Sequence, residues 1–157
     1  MLKRFEVKDH IASQSQVKGS VQRAIRQKIA DTYPALSPFI DELLPKKAPM
    51  ILVKCHEHVN LVVVDSEVLF FNHYDGPYLP HLKLLHQYPD ILPILRADKG
   101  AIKFILSGAN IMAPGLTSKG ATMPAQSLEK GAPVAVYAEG KEHALAVGLL
   151  EMSTDEM

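Results

Sequence analysis

Asp98-Lys-Gly-Ala-Ile-Lys-Phe-Ile-Leu-Ser-Gly-Ala-Asn-Ile-Met-Ala-Pro-Gly-Leu116 combines a helix start, two lysines one turn apart and two glycine turns. Asp98 is a capping residue and Gly100 leaves the first turn without a side chain, so the backbone N–H groups there are expected to stay free for a phosphate. Lys99 and Lys103 lie four residues apart and therefore share one helix face. Ala101, Ile102, Ile105 and Leu106 fall on the other side as a core stripe of helical period. Gly108 suits the left-handed residue that stops such a helix. Ile111 to Ala113 then reads as a short strand and Pro114-Gly115 as the centre of a type II turn, with Asn110 bordering the same groove. The whole reads as an element on which a nucleic-acid backbone can dock. On spacing alone, a surface helix with solvated lysines is the commoner case.

Composition bounds the rest. A chain of 157 residues with 47% apolar side chains can bury one moderate core or two small ones. No run approaches the roughly 20 apolar residues of a membrane helix, and Met1-Leu-Lys-Arg-Phe-Glu6 lacks a signal peptide's apolar stretch, so a cytoplasmic protein without a membrane partner is expected. The one cysteine, Cys55, cannot form an internal disulfide. Net charge is formally zero, so any attraction to nucleic acid must come from local asymmetry. Residues 1–48 carry nine Lys/Arg against five Asp/Glu, whereas residues 120–157 carry two against six. That dipolar pattern favours interaction without naming the ligand.

Along the chain, Ser13-x-x-Gln16 reads as a capping box opening a helix from about residue 14 to 32, with Val17, Val21, Ala24, Ile25 and Ile29 as its apolar stripe. Lys18, Arg23, Arg26 and Lys28 occupy its exposed side, either as a solvated face or as a further RNA or ribosome contact. Ser37-Pro38 predicts a second helix that Pro45 closes. Met50 to Lys54, Val59 to Val64 and Glu67 to Phe71 are strand-like, the last two joined by an Asp65-Ser66 hairpin turn. Leu79, Leu82 and Leu85 recur at helical spacing, and Pro89 and Pro93 mark a stiff junction near residues 89 to 96. Beyond it, Val134 to Ala138 and Ala144 to Leu150 are further short strands, a pattern that suits a small, partly open barrel.

Catalytic and metal chemistry find little support. His56-x-His58 on a strand would aim two imidazoles to one face, but a zinc site needs more ligands, and no metal or other cofactor is expected. Cys55 beside His56 has no base or oxyanion hole defined by sequence and reads as a packed thiol. No nucleophile elbow, Walker loop or dinucleotide fingerprint is present. No catalytic residue is assigned. Phe70 and Phe71 read as core, with Tyr74 and Tyr78 open between core edge and docking patch.

The 98–116 segment resembles the centre of a PUA domain, the RNA-binding module named after pseudouridine synthases and archaeosine transglycosylases. Lys54-Cys-His-Glu-His58, Glu67-Val-Leu-Phe-Phe71, Leu84-Leu-His-Gln-Tyr-Pro89 and Ala138-Glu-Gly-Lys-Glu-His-Ala144 extend the likeness over nearly the whole chain, to the malignant T-cell amplified sequence family. The resemblance implies an α+β protein: an amino-terminal α/β domain with a small mixed or antiparallel sheet, residues 1–92, then a PUA-like β pseudobarrel, residues 93–157. It implies a non-catalytic RNA-binding factor of translation initiation, reinitiation or ribosome recycling. Its partners would be a density-regulated-protein-like chain, small ribosomal subunit RNA and transfer RNA. Lys99, Gly100, Lys103, Asn110, Pro114 and Gly115 are then the expected RNA contacts. The rival expectation is a protein-interaction adaptor whose PUA-like domain no longer binds RNA. Family members continue some twenty residues past the position of Met152 with a strand that helps close the barrel, so the expectation is either a sequence cut short of that strand or a pseudobarrel left open, in which case its edge at Ala144 to Leu150 would invite a second chain.

Overall fold

In the computed structural model, which describes residues 5–157, the chain begins with a single helical turn, α1 (Val7–His10), followed by strand β1 (Ile11–Gln16) and helix α2 (Gly19–Thr32). The expected helix from residue 14 is thus corrected at its start. Ser13 and Gln16 form no capping box; they sit in β1, which pairs antiparallel with β2 (Met50–Cys55) through Ser13↔Lys54, Gln14↔Val53 and Gln16↔Ile51. A capping box satisfies two amides locally, whereas the ladder satisfies the backbone along a whole strand. The alternating Ser and Gln residues suit the position, because β1 is a sheet edge and a polar edge resists unwanted pairing.

Helix α2 buries Gln22, Ile25, Arg26 and Ile29, a stripe at i, i+3, i+4 and i+7. The apolar stripe read from sequence was out of phase: Ile25 and Ile29 face inward, but Val21 is 43% exposed and Ala24 is exposed too. Two polar members of the true stripe are buried because each finds partners. Gln22 Nε2 donates to the carbonyls of Ala48 (2.8 Å) and Pro45 (3.2 Å), and the Arg26 guanidinium meets the Asp41 carboxylate at 2.5 Å. Arg26 therefore leaves the exposed basic face on which it was expected. After Tyr33 a 3₁₀ turn (Pro34–Phe39) runs into α3 (Ile40–Leu43), so Pro38 lies inside the turn and Ser37 caps nothing.

Strands β2, β3 (Val59–Val64), β4 (Glu67–His73) and β5 (Leu79–Pro80) complete an antiparallel sheet in the order β1-β2-β3-β4-β5. The Asp65-Ser66 turn has φ of 50° and 64°, the double left-handed geometry that matches hairpin twist. Leu79 was expected in a helix but pairs with Phe71, since a two-residue strand bounded by proline caps the sheet edge. The core of this unit, residues 5–81, centres on Phe70, Leu36, Ile29, Val62 and Met50, none detectably exposed. Tyr33 packs its ring 6.4 Å from that of Phe70 and donates its hydroxyl to the Tyr78 carbonyl at 2.5 Å. Burial pushes the Tyr33 phenol well above its ordinary pKa.

The second unit, residues 82–157, opens with α4 (Leu82–Gln87), whose His86 Nε2 lies 2.9 Å from the Ala144 carbonyl. Strand β6 (Ile94–Ala97) follows where a stiff junction was expected; it pairs parallel with β7 (Pro133–Ala138), which pairs antiparallel with β8 (Ala146–Leu149). The prolines precede β6 instead of interrupting it. Parallel partners lie far apart in sequence, so no local turn signal announces such a strand. Residues 111–113 form no strand, and Pro114-Gly115 begins a short helix, α6 (Pro114–Thr117), instead of a type II turn; Gly115 has no positive φ. Leu95, Ala97, Leu116, Val134, Val136 and Leu150 make the core, with Ala101, Ile105 and Ile111 packed against it.

The fold is α+β, with an antiparallel sheet β1-β2-β3-β4-β5 in the amino-terminal unit and a mixed sheet β6-β7-β8 in the carboxyl-terminal one. No helix among the described residues is long and apolar enough to cross a membrane. Phe70→Ala should cost about 3–5 kcal/mol of stability, because a wholly buried ring leaves a cavity that the sheet cannot close; urea denaturation followed by circular dichroism measures it, and a loss under about 1 kcal/mol would show that Phe70 is not central to the core.

Candidate nucleic-acid interface

The 98–116 segment folds around one carboxylate. Asp98 caps a 3₁₀ turn (Lys99–Ala101) that leads into α5 (Ile102–Leu106), and its Oδ1 accepts the Ala101 N–H at 3.1 Å. Ser118 Oγ donates to Asp98 Oδ2 at 2.7 Å, and the Asp98 N–H donates to the Gly115 carbonyl at 2.9 Å. Helix start and α6 are thereby tied together. The Ser118 hydroxyl first, then the Gly100 and Ala101 amides, hold the Asp98 carboxyl below its ordinary pKa.

These bonds correct the phosphate reading of the corner. The Lys99 N–H donates to Glu139 Oε2 at 3.2 Å, and the Gly100 and Ala101 amides serve Asp98, so the amides expected to be free already face carboxylates. Glu139 sits in the turn after β7, where Gly120 admits it: a Cβ at Gly120 (φ +96°) would lie 2.4 Å from Glu139 Oε2. What remains open to a ligand is made of side chains. Gly100, Asn110, Pro114 and Gly115 line one concavity of about 580 Å³ together with Ala101, Phe104 and Met112. Lys99 and Lys103 are exposed beside its lining residues in sequence, and the Lys103 ammonium lies 4.9 Å from the Phe104 ring centroid. Gly108 has the expected left-handed φ of 82°. Leu106, assigned to the core stripe, is 68% exposed, because α5 ends there after five residues and turns only Ile102 and Ile105 partly inward.

Sequence reasoning missed Phe104 and Met112, which are 56% and 71% exposed and give the concavity its apolar wall. Their signal was present, since Phe104 falls off the apolar stripe on the lysine side of the helix. It also missed Ser118 and Glu139, which no local pattern links to Asp98.

The second basic group lies in the amino-terminal unit. Lys18 precedes α2, Arg23 and Lys28 are exposed along it, and the Lys28 ammonium lies 5.2 Å from the Tyr78 ring centroid. His56 and His58 lie in a 3₁₀ turn after β2, not on a strand, so the regular alternation that would pair their imidazoles is absent. Among the described residues no group of three or more His, Cys, Asp or Glu is disposed to hold a metal. Cys55 is buried, and burial raises its thiol pKa.

Comparison with known proteins covers the whole chain. A model described as the Pre-PUA-like domain matches residues 5–89, and one described as the elF2D PUA domain matches residues 92–157. A Drosophila melanogaster protein named malignant T-cell-amplified sequence 1 homolog is 52% identical over 159 residues, spanning 100% of this chain and 86% of its own length. The Dictyostelium discoideum homolog is 50% identical and the human malignant T-cell-amplified sequence 2 is 46% identical, with the same coverage. Among solved structures, a hypothetical protein of Pyrococcus horikoshii aligns with TM-score 0.70 at 19% identity over 92% of this chain and 85% of its own. A PUA domain protein of Thermoplasma acidophilum aligns with TM-score 0.62 at 19% identity over 92% and 83%. At that identity the structural likeness speaks for the fold alone.

Because the folded state lowers the Asp98 pKa, its ionised cap stabilises the fold above the ordinary aspartate value of about 3.9, and that contribution is lost as pH falls through the lowered folded value. NMR should show the Gly100 and Ala101 amide shifts titrating with a midpoint below the ordinary range, and Asp98→Ala should abolish that titration and speed hydrogen exchange at Ala101. A midpoint at or above the ordinary value would contradict the cap.

Proposed function

Since the chain belongs to the malignant T-cell-amplified sequence family, we propose that it is a non-catalytic RNA-binding translation factor. Family and PUA domain together point to an RNA-binding, translation-related role. Our finer reading is that it acts in the cytoplasm, with a density-regulated-protein-like partner, on small ribosomal subunit RNA and transfer RNA in initiation, reinitiation or recycling. In this reading residues 1–92 serve partner binding and residues 93–157 serve RNA.

The observation that carries the RNA assignment is the pair of exposed lysines, Lys99 and Lys103, adjacent in sequence to Gly100 and Phe104 of the concavity that Asn110, Pro114 and Gly115 also line. Phosphates would meet the two exposed ammonium groups and not the amides that Asp98 and Glu139 occupy. A sugar or base edge would enter the groove against Phe104, with the Asn110 amide as hydrogen-bonding group. Such contacts read shape and backbone more than sequence. Lys18, Arg23 and Lys28 would add a second electrostatic contact.

A specific observation favours the rival adaptor reading: two carboxylates stand at the corner, and Phe104, Leu106 and Met112 expose apolar surface around it. An adaptor would dock protein there. Salt separates the two, because phosphate contacts release counterions and apolar contacts do not.

Lys99→Glu with Lys103→Glu should weaken binding to a single-stranded oligoribonucleotide and lower the salt slope by roughly one unit per lysine, measured by fluorescence anisotropy across a salt series. Wild-type protein should co-sediment with small ribosomal subunits and be released by high salt. Unchanged affinity and slope in the double variant, or salt-resistant sedimentation, would favour the adaptor.

A further inference from the structure

Three exposed rings at one end of the amino-terminal sheet are used by nothing above. His58 and Tyr74 stack with centroids 4.4 Å apart and planes 17° from parallel, and His73 meets Tyr74 edge-on at 4.5 Å and 62°. All three side chains are exposed, Tyr74 at 58%. A fold-stabilising aromatic cluster would turn inward; this one stands in solvent.

The backbone holds the rings in place. Val59 pairs with His73 at the end of the β3–β4 ladder, and the Tyr74 N–H continues it by donating to the His58 carbonyl at 2.8 Å. Glu57, His58 and Tyr74 have φ of 59°, 60° and 54°, the left-handed region that side-chain-bearing residues rarely enter. Behind them, Asn60 Nδ2 donates to Asn72 Oδ1 at 2.9 Å, and the buried Asn72 donates on to the Gly76 carbonyl at 3.4 Å, fixing the loop that carries Tyr74. Non-glycine residues held in that region mark places where the surroundings dictate the conformation.

We propose that His58, Tyr74 and His73 form a stacking platform for an unpaired RNA base. The proposal rests on the RNA-binding reading and adds a site in the other unit. The chemistry favours a base over a protein. A protein hot spot needs an apolar centre, yet Tyr74 is the one strongly exposed large hydrophobic between residues 40 and 81, and its companions are imidazoles with polar edges. Flat π faces with hydrogen-bonding rims are what splayed-out bases stack on. Charge is not the driving force: Lys54, Glu57 and Asp75, exposed in the same segments, leave no positive excess. The platform therefore differs from the Lys99/Lys103 contact in carrying affinity without salt dependence.

The test uses the full chain and a single-stranded oligouridine containing 4-thiouridine. Tyr74→Leu, which keeps bulk without a π face, should weaken binding on the order of tenfold with an unchanged salt slope, Tyr74→Phe should bind like wild type, and His58→Ala should reproduce the loss. Ultraviolet cross-linking followed by mass spectrometry should place thiouridine on residues 56–58 or 73–75. If wild type binds and Lys99→Glu with Lys103→Glu weakens it while Tyr74→Leu and His58→Ala do not, the platform falls and the RNA-binding reading stands. If wild type binds no RNA, both fall. A Tyr74→Leu variant that loses only a protein partner overturns the platform as well.

Discussion

The carboxyl-terminal unit depends on the need of a helix start to satisfy its own amides, and on Asp98 as the group that does so. One side chain accepts the Gly100 and Ala101 amides and the Ser118 hydroxyl, while the Asp98 N–H holds the Gly115 carbonyl. The same logic recruits the turn after β7. Glu139 Oε2 takes the Lys99 N–H, the Glu139 N–H donates to the Ala97 carbonyl at 2.9 Å, and Arg96 Nη1 reaches the carbonyls of Ala138 and Lys141. Segments far apart in the chain thus converge on the end of β6, while the concavity beside α5 is lined from within residues 98–118 alone.

The amino-terminal unit obeys the same accounting with different groups. Gln22, Arg26 and Asn72 are buried polar residues, and each bonds the segment that follows or faces it: the 45–48 turn, Asp41 (through Arg26 Nη2, its Nε remaining unpaired) and the 73–76 loop. Tyr33 does likewise toward Tyr78. These bonds fix irregular segments that hydrophobic packing alone would leave loose, which is how a small sheet carries loops of defined conformation.

For recognition, two consequences follow from a chain whose formal charge is zero. Attraction at a distance is weak, so binding depends on local groups. In the function proposed above, the exposed ammonium groups of Lys99 and Lys103 would supply a salt-sensitive part and the ring platform a salt-insensitive part, while the carboxylates Asp98 and Glu139 serve the fold. The concavity's apolar wall, Phe104 and Met112, then contributes shape instead of charge.

The sequence by itself determined the three strands β2 to β4 with their Asp65-Ser66 hairpin, the Asp98 cap and the left-handed stop at Gly108, because each is written within a few adjacent residues, whereas the α+β plan came from the family resemblance. It expected Asn110, Pro114 and Gly115 to border a groove through a type II turn, whereas the fold uses α6 and brings Gly100 to the same concavity. Tertiary structure decided the rest. Ser13 and Gln16 joined a strand because Met50–Cys55 offered a ladder, Arg26 turned inward because Asp41 was there to meet it, and β6 formed beside a strand nearly forty residues away. The Lys99 amide closed because Glu139 arrived from the turn after β7, and Ser118 came from beyond α6 to hold the Asp98 carboxylate that caps Ala101. Hydrogen-bond partners separated by tens of residues leave no periodic trace, so only the folded chain shows which polar groups are spent and which remain to bind.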